Sequence, residues 1–181
     1  PAVGPPERIT KKSPAFGRRP TPRVTGPSAL TAAPPASHTG HMIAPTVYRV
    51  TARTASDRTS SITAGDTVIP LDSAWQPASP SGLPGPAELL SAALAGCLLK
   101  GLERARAMMP FEYDSAEVTI TAHRQDVPPK FTELEYELRI VTAESERRVD
   151  LLHRNLQQFG TIYNTLAAAC DVHGTIVVVD S

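Results

Sequence analysis

A mixed fold of antiparallel strands and helices is predicted by three observations. Ala116–His123 and Phe131–Val141 alternate apolar and polar residues, the mark of strands with one solvated face. Gly85–Met109, GPAELLSAALAGCLLKGLERARAMM, reads as one long helix, and Glu144–Gln158 as an amphipathic helix with Val149, Leu152 and Leu156 on its apolar stripe. At 181 residues the chain holds one sizeable core, and one domain over residues 42–181 is the expectation.

Residues 1–41 contain nine of the eighteen prolines and read as a disordered, basic tail or extension, because such a composition cannot bury enough apolar surface to offset the entropy of ordering. Gly40-His41-Met42 reads either as an expression junction or as a natural start at Met42. Formal charge is zero overall, yet the tail carries six basic residues against Glu7 alone. The body is left with 12 basic and 17 acidic residues, which argues against a nucleic-acid surface. No apolar run reaches membrane-spanning length, and no compact secretory signal stands at the N-terminus. Two cysteines outside any CxxC pair fit a reducing cytoplasm.

In chain order, Thr46–Thr54 alternates as a strand, and Thr59–Ile62 and Thr67–Leu71 form a hairpin about Ala64-Gly65-Asp66. Four glycines and prolines around Trp75 make a loop up to Pro84; such a tryptophan packs, or walls a substrate pocket. The helix that follows starts well, with Pro86 in its first turn and Glu88 beside the positive helix end. Leu90, Ala93, Leu94, Cys97, Gly101 and Ala105 fall along one face, and the uncharged stretch Leu89–Leu99 is expected to be enclosed on every side, by a second copy where one chain cannot do it. Pro110 stops the helix, and Val127-Pro128-Pro129 separates the two strands that follow. Gly160 interrupts the second helix; a third, Thr161–Cys170, leads to a final strand, Thr175–Val179.

Cys97 has two readings. Free cysteine is among the most buried residue types, so it can be a small core residue. Alternatively it is a reactive thiolate, which requires a nearby cation or helix end and some solvent access. His123, His153 and His173 show no ligand spacing, so no metal is expected, and without a GxGxxG, a phosphate loop or a GxSxG no nucleotide or other cofactor is called for.

The order of elements, GPAELLSAALAGC (Gly85–Cys97) and YNTL (Tyr163–Leu166) resemble the OsmC/Ohr family of thiol-dependent peroxidases, over about residues 46–180. That resemblance implies an α+β fold in which antiparallel sheets wrap around two central helices of an intertwined homodimer, with sites at the subunit interface. It also implies reduction of an organic hydroperoxide at Cys97, regeneration by a thiol reductant and a place in the oxidative stress response. Trp75, Glu88, Gly160 and Tyr163 are the expected substrate-binding residues. An arginine of the first hairpin assists in the family; Arg53 and Arg58 both lie there, and the turn position of Arg58 favours it. Two further departures stand out: Gly160 occupies the place of the family's second cysteine, and Ala87 that of its glutamate, with Glu88 adjacent. Cys170, ten residues beyond Gly160, is expected about 15 Å along a helix and out of reach of Cys97. A non-catalytic protein binding an apolar ligand at the interface pocket is the alternative.

Overall fold

The computed structural model describes residues 46–57, 59–75 and 81–179. The basic tail and Arg58 therefore lie outside the described residues. Nine elements follow in order: β1 (Val50–Thr54), β2 (Ser60–Ala64), β3 (Thr67–Pro70), α1 (Pro86–Met108), β4 (Ser115–Asp126), β5 (Pro129–Val141), α2 (Glu146–Phe159), α3 (Thr161–Ala167) and β6 (Asp171–Val179). The mixed α+β class is as expected.

Two three-stranded sheets form, β1-β2-β3 and β4-β5-β6. In the first, all neighbours are antiparallel, and Gly65, at φ 58°, takes the left-handed turn position between the paired Ala64 and Thr67. In the second, β5 is central. It pairs antiparallel with β4, from Ser115↔Val141 to Asp126↔Pro129, and parallel with β6, from Glu133↔Asp171 to Val141↔Val179. Parallel pairing requires a crossover, which α2 and α3 supply.

The core lies between this second sheet and the helices. Leu134, Tyr136, Leu138 and Ile140 of β5 are buried, as their alternation predicts, and meet Leu94, Leu98, Leu102 and Ala105 of α1 and Val149, Leu152 and Leu156 of α2. α1 packs on β4, α2 and α3. Gly174 of β6 lies so close to Tyr136 that a Cβ there would be 2.1 Å from the Tyr136 carbonyl oxygen.

Several expectations change. The first strand begins at Val50, not Thr46, since the pairing with β2 ends at Val50↔Ala64. The last strand begins four residues early, at Asp171, because the ladder with β5 extends to Glu133 and holds polar Asp171 and His173 in extended backbone. Helix α3 stops at Ala167, so only part of the Gly160-to-Cys170 separation is helical and the 15 Å helical rise does not apply. Leu89–Leu99 is not enclosed on every side by its own chain: Ala92, Ala93 and Gly96 are exposed and Leu99 is 38% exposed. The buried stripe of α1 is Leu94, Leu98, Leu102 and Ala105, with Cys97 at its edge. Among the described residues, no helix is long and apolar enough to cross a membrane.

Candidate active site around Cys97

Cys97 sits near the middle of α1 with its side chain half-buried, and both cysteines carry free thiols. The junction of α2 and α3 passes directly over it. A Cβ added to Gly160 would lie 3.4 Å from Cys97 Sγ, but also 2.8 Å from the Leu156 carbonyl oxygen and 2.9 Å from Tyr163 Cβ. Separations below 3 Å force a shift, so this backbone is built for a residue without a side chain. The junction is pinned by its own hydrogen bonds: Gly160 N–H donates to Leu156 O (3.1 Å), and Asn164 N–H donates to Gly160 O (2.9 Å).

Tyr163 stands against Gly160. Its hydroxyl donates to Val172 O at 2.9 Å, tying α3 to β6, and its ring meets Tyr136 edge-on at 6.3 Å between centroids. Burial, then the charge of Asp171, raises the Tyr163 pKa, so it remains a neutral donor. Behind it lies a polar group that pattern reading missed. Gln157 Nε2 donates to Tyr136 Oη (3.1 Å), which leaves the Tyr136 hydroxyl hydrogen for His153 Nε2 at 2.5 Å. That order requires a neutral His153 with its proton on Nδ1. Burial lowers the His153 pKa, partly opposed by Asp150, in agreement with the neutral form. The i, i+4 spacing of His153 and Gln157 was visible in the sequence, but their tyrosine partner on β5 was not.

The other expected site residues are placed apart from this group. Glu88 caps α1, accepting a hydrogen bond from Gly85 N–H at 3.1 Å. It precedes Cys97 by nine residues, and at about 100° per residue that puts it on the opposite side of the helix. Trp75 is 91% exposed on its loop. Arg53 lies exposed on β1, opposite Ser61, and Arg58 is outside the described residues. Cys170 donates weakly to Leu166 O at 3.5 Å, and burial together with Asp171 pushes its pKa up, against Lys130. A high thiol pKa disfavours the thiolate that attack requires.

On the side of α1 turned away from Cys97 is a cleft of about 470 Å³. Ala87, Glu88, Ser91, Ala92 and Ala95 form one wall, and Val118, Ile120 and Ala122 of β4 with Phe131 of β5 form the other; Arg124 stands with them. Small residues at three- and four-residue spacing opposite an alternating strand were the available signal for this cleft. A second cleft, about 680 Å³, lies against the loop that enters α1 and also includes Glu88.

A family model described as OsmC-like protein matches residues 79–173, just over half of the chain. Solved structures agree on the fold. An OsmC-like protein from Mycoplasma pneumoniae superposes with a TM-score of 0.68 at 18% identity, covering 74% of this chain and 98% of its own. The organic hydroperoxide resistance protein OhrB of Bacillus subtilis gives 0.53 at 21% identity, over 72% and 98%. An organic hydroperoxide resistance protein OsmC from Legionella pneumophila, described as a predicted redox protein, gives 0.57 at 17% identity, over 74% and 100%. Comparison with curated proteins finds no match. With the family match spanning Cys97, the cleft between α1 and β4 and the α2–α3 junction, the chain belongs to the OsmC-like protein family.

Proposed function

We propose that this protein is a one-cysteine peroxidase that reduces organic hydroperoxides at Cys97 and is regenerated by an external thiol. The observation that carries this reading is that the Gly160 backbone runs beside the half-buried Cys97 thiol, a Cβ there falling 3.4 Å from Sγ. The thiol is partly accessible, and the backbone where a second cysteine would stand has no room for a side chain. Attack of the thiolate on the peroxide O–O bond transfers one oxygen to sulfur and releases the alcohol after protonation, leaving a sulfenic acid. An incoming thiol condenses with the sulfenic acid, expelling water. A second thiol then exchanges with the mixed disulfide, returning Cys97 and one oxidised disulfide of the donor. The names of the Bacillus and Legionella structures, both hydroperoxide resistance proteins, support this class of substrate.

A homodimer is part of the proposal. Exposed Ala92, Ala93, Gly96 and Leu99 on α1, and exposed Val50 and Val68 on the first sheet, are apolar surface that a second copy would cover. An arginine from the partner's first hairpin could then reach Cys97.

Purified protein mixed with an organic hydroperoxide and a dithiol is expected to consume peroxide, and Cys97→Ser to lose that turnover. Equal rates for the two proteins would sink the proposal. Intact mass after one equivalent of peroxide should show one or two added oxygens on Cys97, whereas quantitative loss of two hydrogens would mean a Cys97–Cys170 disulfide. A second reading, binding of an apolar ligand, is favoured by the cleft between α1 and β4. Lipid-like material retained in native mass spectrometry, with Cys97 unreactive to alkylation, would favour it over catalysis.

A further inference from the structure

We propose that Glu133 and His173, oriented by Asp171, form a site for a divalent transition metal on the outer face of the β4–β6 sheet, remote from the thiol. The parallel ladder creates the juxtaposition, placing Asp171 opposite Glu133 and His173 opposite Glu135. One ligand atom from each of Glu133, Asp171 and His173 falls within 4.8 Å of the others.

The two ring nitrogens of His173 have different surroundings. Nδ1 is 3.4 Å from Asp171 Oδ2, and Nε2 is 3.6 Å from Glu133 Oε1. A carboxylate on one nitrogen fixes the tautomer and presents the other as a ligand, the common second-shell arrangement of histidine metal sites. In the tautomer with the proton on Nδ1, the nitrogen nearer Asp171, Nε2 and Glu133 Oε1 face each other as two acceptors. Their 3.6 Å separation is too long for a good hydrogen bond. Two donors each about 2.1 Å from one tetrahedral ion stand roughly 3.4 Å apart, so the spacing fits a shared cation.

A further imidazole stands on the other flank, outside the trio whose ligand atoms converge. His123 of β4 is the direct cross-strand partner of Glu133, and the register shifts immediately after it, at His123/Arg124. Cross-strand partners hold their Cβ atoms about 5 Å apart on one face, and a bulge re-aims the neighbouring side chain. Elsewhere along β5 this convergence is absent: Glu137 is flanked by Thr119 and Thr175. Imidazole with carboxylate selects zinc, cobalt or nickel over calcium or magnesium. The side chains of Glu133 and His173 are close to half exposed, which leaves coordination positions open to water or a ligand.

The test is calorimetric titration of Zn(II) alone at pH 7.5 into the full chain carrying Cys97→Ser and Cys170→Ser, which removes the thiols as competing ligands. One zinc per chain is expected with a dissociation constant of about 10 μM. His173→Ala and Glu133→Gln should each abolish that event, while Asp171→Asn weakens it about 10-fold through the lost orientation. Circular dichroism and Co(II) absorption, read on the same variants, establish that each remains folded and whether nitrogen ligation is lost. The proposal is overturned if zinc binds with unchanged stoichiometry and affinity in folded His173→Ala and Glu133→Gln. It is equally overturned if no zinc binds.

Discussion

Val50 and Leu138 are both aliphatic strand residues, yet Val50 is 59% exposed and Leu138 is fully buried. The difference runs through their whole sheets. On β5, four alternating side chains are sealed under α1 and α2. In the β1–β3 sheet the buried residue is polar: Ser60, whose hydroxyl donates to Thr54 Oγ1 at 2.9 Å and shares a hydrogen bond with Ser73 at 2.5 Å. Among the described residues no helix is packed appreciably on this sheet, whose strands are joined by backbone pairing and by the Ser60 hydroxyl contacts. Three short strands without a covered apolar face are marginal in water. The lesson is that one sheet is covered within the chain and the other is left uncovered by the described elements.

The largest expected effect tests the self-sufficient half. Gly174→Ala puts a Cβ 2.1 Å from a backbone oxygen, which no rotamer change relieves, and should cost more than about 3 kcal/mol in a urea titration. Near-normal stability would mean that β5 and β6 can spread. Next, Leu156→Ala empties the space where α2 meets α1 and should cost about 2–5 kcal/mol. Val68→Ala, on the exposed sheet, should cost within about 0.5 kcal/mol if nothing covers it. A larger cost for Val68→Ala would itself indicate a cover.

Val50→Asp asks what that cover is. If a second copy supplies it, light scattering should show the particle falling to single-chain mass while the helical signal of the body survives. Persistence of the dimer would place the interface elsewhere.

The smallest effect is in pH. Burial holds the His153 pKa below its ordinary 6.5, so the unfolded chain takes up the proton first. The contribution of neutral His153 is therefore complete above about pH 6.5 and is lost as pH falls toward the folded value. His153→Gln should flatten this slope. Near the other sheet the acid window is lower. Hydrogen bonds from Thr59 hold Asp57 below its ordinary 3.8, and those from Ser81 and Ala74 do the same for Asp72. Their contribution is present above about pH 4 and disappears as pH falls further, so melts between pH 5 and 6.5 should respond to His153 and not to these aspartates.

Local pattern was enough wherever a residue's environment follows from its neighbours in sequence. The alternation of Leu134, Tyr136, Leu138 and Ile140 picks the buried face of β5, and Pro86 with Glu88 marks the start of α1, because strand and helix periods project directly onto faces. The same helical period puts Glu88 on the far side from Cys97. The resemblance of the Gly85–Cys97 and Tyr163–Leu166 segments to one family led to Cys97, Gly160 and Tyr163, and the fold sets all three side by side.

What only the tertiary structure decided are the contacts between elements far apart in the chain. That Gly160 closes over Cys97 Sγ depends on the angle at which α2 and α3 meet α1. Tyr136 finds His153 and Gln157 only because β5 packs beneath α2. Glu133, Asp171 and His173 meet only because β6 runs parallel to β5, an orientation that the strand pattern of β6 leaves open. Period and composition report whether a side chain is inside or outside, while its partner is set by crossover direction and packing distance, which no local window of sequence contains.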